Sequence, residues 1–122
     1  MGKRRTSNQG MALVDDVSDS QIRRSQAELA DQAGELQELD LHGQSAQQAS
    51  VNVYGFLTSL ADSGEPCCRI VHGKGTGVLQ QVVKEELNDL LQQNIIDSYF
   101  QSQKYPGAAV VVVFRIWSVN RQ

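Results

Sequence analysis

The 122-residue sequence is short of several groups, and each shortage excludes a class of protein. Cysteine occurs twice, as the adjacent pair Cys67-Cys68. Neighbours on a strand point to opposite faces, so the two are badly placed to pair, and there is no third thiol for a structural zinc site. Two strand thiols in a reducing compartment is the reading that remains. The longest apolar run, Ala108 to Phe114, has seven residues, far fewer than the ~20 of a membrane helix. No apolar signal core follows Met1-Gly2-Lys3-Arg4-Arg5. Basic charge is not in excess either: 11 basic against 14 acidic residues give a net charge of −3 and a pI near 5.2. A protein that coats nucleic acid by neutralising phosphates is basic over the binding domain, so that class is excluded and only a small local site is left open. A soluble, cytoplasmic, monomeric protein with no membrane partner is expected.

Aromatic residues, 6% of the chain, are absent from the first 35 positions, where Gln, Ser, Asp and Arg dominate. Residues 1–35 therefore read as an N-terminal extension, largely disordered, because the apolar area is too small to offset chain entropy. A helix is allowed within it over 18–34, capped by Ser18 or Asp19 and stopped by Gly34. The folded domain is expected over 36–118, with a tail at 119–122.

Within that domain the periodicities alternate. Leu39 and Leu41 alternate with Glu38, Asp40 and His42, the period of a strand over Leu36–His42 that Gly43 ends. Ser45 with Gln48 fits a capping box for a helix to about Ala61. Cys67–His72 is a short apolar strand, and Val78–Gln92 repeats at helical spacing. Ile95–Gln103 alternates with Ile96, Ser98, Phe100 and Ser102 on one side. Tyr105-Pro106-Gly107 turns the chain into the apolar strand Ala108–Ile116. The order β-α-β-α-β-β makes a two-layer α+β sandwich, of the broad α/β class. It has a mixed four-stranded sheet, its first two strands parallel and its last two a hairpin.

Two motifs carry chemistry. In Leu39-Asp40-Leu41-His42-Gly43, residues two apart on a strand share a face, which sets Asp40 beside His42 at the strand's carboxyl end. A carboxylate there can orient an imidazole and fix its tautomer; the plainer alternative is that Asp40 caps a turn. In His72-Gly73-Lys74-Gly75-Thr76-Gly77, glycines at alternate positions open a helix and let backbone N–H groups converge on an anion, most naturally a phosphate. The plainer alternative there is a tight turn. The spacing is neither that of a Walker loop nor that of a dinucleotide fingerprint. Parallel neighbouring strands bring both motifs, and both histidines of the chain, to one sheet edge. Arg115 and Trp117 read as edge packing, and Tyr105 as a turn residue.

Together the two motifs, over residues 36–116, resemble the small MutS-related (Smr) domain as found in stand-alone members. The resemblance implies a fold like the C-terminal domain of translation initiation factor three. It also implies endonuclease activity on RNA or DNA, in some bacterial members on messenger RNA at stalled ribosomes. Asp40 and His42 are the catalytic candidates it implies, with Lys74 and Gly75-Thr76-Gly77 on the phosphate. The family's glycine-rich loop before the last strand is reduced here to Tyr105-Pro106-Gly107-Ala108. The expected scheme is that His42, oriented by Asp40, takes a proton from the attacking 2′-hydroxyl or water. His72 protonates the leaving oxygen, and Gly73 to Gly77 with Lys74 stabilise the phosphate. No metal is required, although Asp40 is placed to hold a magnesium ion. With so little positive charge, further affinity is expected from a ribosome met through the N-terminal extension. A non-catalytic nucleic-acid- or ribosome-binding adaptor is the other class these residues allow.

Overall fold

The computed structural model describes residues 11–115, and side chains from Asp19 onward. Lys3-Arg4-Arg5, Ile116, Trp117 and the tail 119–122 lie outside the described residues. Helix α1 spans Met11–Ala33, strand β1 Glu38–Asp40, helix α2 Ala46–Asp62, strand β2 Cys67–Val71, helix α3 Val78–Gln92, strand β3 Ile96–Gln101 and strand β4 Ala109–Phe114. The sheet order is β1-β2-β4-β3, with β1 and β2 parallel and the other neighbours antiparallel. This is the mixed α+β sheet expected from the order of periodicities.

Local chemistry accounts for the helices on the first face. The Ser45 side chain accepts the Gln48 N–H, and the Gln48 side chain accepts the Ser45 N–H, so α2 begins with both donors satisfied. Ala49, Val53, Leu57 and Leu60 form its buried stripe, and Val83, Leu87 and Leu90 that of α3. These stripes meet Leu41, Cys68, Ile70, Val112 and Phe114 from the sheet in one apolar core. Every residue of β4 is buried, as its place between two neighbours requires.

The second face carries α1, which adds a third layer to the two expected. From Asp19 onward its apolar contact is small: Ala27 against Val111 and Val113, with Leu36, Cys67 and Phe100 around them. The anchor is polar. Asp31, 1% exposed, takes Arg69 Nη1 at 2.7 Å and Ser102 Oγ at 2.9 Å on Oδ1, and the backbone N–H groups of Gln103 and Lys104 at 2.9 and 3.3 Å on Oδ2. Arg69 also donates to Glu38 at 2.9 Å, and its guanidinium lies over the Tyr105 ring. Burial pushes the Asp31 carboxyl upward, but the bonds from Ser102, Gln103, Arg69 and Lys104 outweigh it and leave its pKa below the ordinary value. The helix also begins at Met11, ahead of Ser18 and Asp19, which lie inside it. Composition counts only apolar area, and polar contacts that such a count does not weigh tie this segment to the sheet: the buried Asp31–Arg69 pair, the Arg23–Asp97 ion pair and Arg24 over the Phe100 ring.

Two strand expectations are corrected. Strand β1 is three residues long, although ladder bonds from Arg69 N–H to Gln37 O and from Leu41 N–H to Val71 O extend its pairing by one residue at each end. The regular alternation expected over Ile95–Gln103 is broken by a bulge between Ile96 and Ser98. A bulge adds one residue and reverses the phase. Ile96 and Tyr99 therefore pack with the core under α2 and α3, whereas Phe100 and Ser102 face α1.

Candidate functional site

The parallel pairing of β1 and β2 sets Asp40 against Val71. The chain that leaves β1 through His42 and Gly43 thus emerges beside the chain that leaves β2 through His72 to Gly77. Between them and the start of α2 lies a cleft of about 350 Å³, lined by Gln44, Ser45 and Ala46 on one side and by His72, Gly73 and Gly75–Gln80 on the other. Gly73 and Gly77 have φ of 79° and 94°, a left-handed backbone that side chains oppose, and it is these two glycines that turn the loop into the cleft.

The two helix starts at this cleft differ. The α2 start is closed by its capping box. The α3 start has Gly77 as its N-cap, with no side-chain bond, and only a long 3.5 Å contact from the Val78 N–H to Thr76 Oγ1. First-turn donors without a cap, at the positive end of a helix and next to a glycine loop, make an anion site.

The predicted site residues all reach this edge, but they do not all enter the cleft. His72, Gly73, Gly75, Thr76 and Gly77 line it; Asp40, His42 and Lys74 do not. Paired residues of neighbouring strands share a face, so Asp40 projects with Val71, and His72, one residue on, projects from the other side. The Asp40 carboxylate accepts the backbone N–H of His42 at 2.9 Å and holds the turn that carries this exposed histidine. Among the described residues it makes no bond to the His42 ring. Lys74 is exposed and runs toward the β3–β4 turn, its Cε 3.8 Å from where a Cβ on Gly107 would stand. His72 is buried, and its ring Nδ1 lies 2.7 Å from the Gly73 carbonyl oxygen, an arrangement in which Nδ1 donates and Nε2 is left for other work. The backbone N–H groups of His72 and Gly73 both donate to Ala108 O at 2.9 Å, which ties the glycine loop to the turn before β4.

Gln44, Ser45, Ala46 and Gln80 were not predicted as site residues. Ser45 was legible as a helix cap, but its place opposite the glycine loop follows from strand pairing, which no local signal carries. Among the described residues no group of three or more His, Cys, Asp and Glu side chains converges as a metal site. Burial raises the pKa of both thiols, with Glu65 adding at each and Cys67 at Cys68, which disfavours the reactive thiolate. No helix among the described residues is long and apolar enough to cross a membrane.

Comparison with known proteins bears on this arrangement. The family model described as the Smr domain matches residues 39–115, which leaves α1 outside the match. The ribosome rescue factor SmrB of Shewanella oneidensis is 31% identical over 80 residues, covering 64% of this chain and 44% of that protein. The endonuclease MutS2 of Geobacillus thermodenitrificans is 35% identical over 77 residues, covering 62% of this chain and 9% of that protein. The chain thus spans less than half the length of these relatives. The crystal structure of the Smr domain of Thermus thermophilus MutS2 matches with a TM-score of 0.57 and 29% identity, covering 66% of this chain and 99% of that domain.

Proposed function

The chain belongs to the Smr domain family, and from that membership we propose that it is an endonuclease cleaving phosphodiester bonds of RNA or DNA. The observation that carries the reading is the cleft in which the uncapped α3 start and the Gly73–Gly77 loop face His72. A phosphate seated there meets backbone donors that need no reorganisation as charge builds up on its oxygens. With both ring nitrogens protonated, His72 gives its Nε2 proton to the departing oxygen, while Nδ1–H stays on the Gly73 carbonyl. His42, on the turn that Asp40 braces, takes the proton of the attacking oxygen, a 2′-hydroxyl in RNA or a water on DNA. Lys74 contributes from the rim as a long-range positive charge. No magnesium ion enters this scheme. The net charge of −3 leaves one local grip, so the substrate is presented by a larger assembly; the likeness to a ribosome rescue factor supports messenger RNA on a stalled ribosome, in the cytoplasm, as the setting.

The test is cleavage of end-labelled single-stranded RNA and DNA, with and without EDTA, by wild type, His42→Ala, His72→Ala, Asp40→Asn and Asp40→Ala. Each histidine variant is expected to lose about 10²-fold or more, the scale of acid–base catalysis. Asp40→Asn retains an acceptor for the His42 N–H and stays within about threefold of wild type, whereas Asp40→Ala loses the turn and falls about tenfold, one lost hydrogen bond's worth. If purified wild type binds the oligonucleotides, cuts none of them and is unchanged by the histidine substitutions, the protein is a binding adaptor. Full loss of cleavage in Asp40→Asn would show that the carboxylate charge acts directly, and loss on adding EDTA would show that a metal takes part.

A further inference from the structure

A second cavity opens on the other side of His72. It lies between α3 and the β3 edge of the sheet, has a volume of about 300 Å³, and shares His72 and Gln80 with the phosphate cleft. Its apolar surface comes from Val83 and Leu87 of α3, one helical turn apart, and from Phe100, Ala109 and Val110 of the sheet. Tyr99 faces them from β3, because the bulge at Ile96–Ser98 turns it toward α3. Its hydroxyl donates to Asn88 Oδ1 at 2.9 Å, which fixes the ring. The polar lining, besides His72, is particular: Gln80 and Gln101 supply amides that both donate and accept, and Lys84 brings a cation. Lys84 has no ion-pair or hydrogen-bond partner among the described residues.

We propose that this cavity is a nucleobase subsite, taking the base of the nucleotide whose phosphate sits in the adjoining cleft, with Lys84 meeting the next phosphate along the strand. The proposal rests on the phosphate reading of that cleft and assigns what lies beside it. An apolar slot with a fixed aromatic ring suits the face of a base, and donor–acceptor amides suit its edge. The volume is at the small end of ligand cavities and is enough for one planar heterocycle. A neutral apolar guest leaves Lys84 unmatched, whereas a base carried on a phosphodiester backbone matches it. A base enters such a slot only when it is unstacked and unpaired.

The experiment follows amide resonances of the full chain during titration with inorganic phosphate, ribose 5-phosphate, the nucleoside 5′-monophosphates and N-acetylleucinamide. Phosphate and ribose 5-phosphate are expected to move amides of the cleft, Gly75, Thr76 and Leu79 among them, and to leave Lys84 and Gln101 unmoved. The nucleotides are expected also to move the Lys84 amide and the Gln101 side-chain amide, and at least one of them to bind about tenfold more tightly than ribose 5-phosphate, within what stacking of one base supplies. Gln101→Trp, which fills the slot from an exposed strand position, should abolish that advantage and keep the ribose 5-phosphate response. Lys84→Ala, on an exposed helix surface, should weaken adenosine 3′,5′-bisphosphate about threefold and leave the monophosphate unchanged. If nucleotides bind no more tightly than ribose 5-phosphate and leave Lys84 and Gln101 unmoved, the subsite is overturned while the phosphate cleft stands. Equal movement by N-acetylleucinamide overturns it in favour of a protein side chain. If phosphate leaves the cleft unmoved but nucleotides still move Lys84 and Gln101, the base slot stands and the cleavage reading loses its carrying observation.

Discussion

On one face of the sheet, α2 and α3 bury Leu41, Val53, Leu57, Ile70, Leu87 and Phe114 in a continuous apolar core. On the other, the described side chains of α1 lay little more than Ala27 on Val111 and Val113, and the Asp31 carboxylate is the buried link. The first face is held by area and is indifferent to direction. The second is held by a few directional bonds, and these reach the turn at Ser102–Lys104, which leads through Ala108 O to the backbone of His72 and Gly73. The family match from residue 39 and the near-complete coverage of the MutS2 Smr domain place the first face within the shared domain and α1 outside it. The expected difference is that disturbing the first face unfolds the whole domain, whereas disturbing the second releases one helix.

The largest effect is expected at Asp31. Asp31→Ala leaves the Arg69 guanidinium buried with Glu38 as its remaining partner, and removal of one member of a buried pair costs about 3–5 kcal/mol. That loss should appear as fast hydrogen exchange in α1, with α2 and α3 protected as before. Loss of protection in every element at once would show the two faces to be one cooperative unit. Leu57→Ala, at a fully buried position, should cost about 2–5 kcal/mol, read as a lower urea midpoint reported equally by all elements.

Acid is the mildest probe of the comparison. The Asp31 pKa is lowered in the folded protein, so its contribution is complete above the ordinary aspartate value, near ~4, and is lost as pH falls through the lower folded value. Below about pH 4, α1 should therefore loosen while the apolar face keeps its exchange protection. Loosening is expected to be less than in Asp31→Ala, because a protonated carboxyl still accepts hydrogen bonds. An α1 that stays protected down to the acid unfolding of the whole domain would break the distinction.

The elements on the apolar face were legible in advance because their signals are local. Val78–Gln92 was expected with the ends it has, from apolar spacing and the glycine before it. Ser45 and Gln48 announced α2 through a box that needs only four residues of chain. The Asp31 anchor was not legible, since an aspartate in a polar helix reads as a solvated group until Arg69 and Ser102 arrive from positions 38 and 71 residues away. Nor was the face presented by β3, where the bulge is a property of the pairing with β4.

The same division runs through the site. Local sequence was enough for the glycine loop, the uncapped helix start and the two motifs at strand ends, because backbone conformation and capping depend on near neighbours. Strand pairing decided which of those groups meet. It set His72 against the α2 start, left Asp40 on the opposite face bracing the His42 turn, and opened beside His72 a slot whose walls come from α3, β3 and β4. Register and bulges are long-range quantities: they arise when distant segments exchange hydrogen bonds, and no window of adjacent residues contains them.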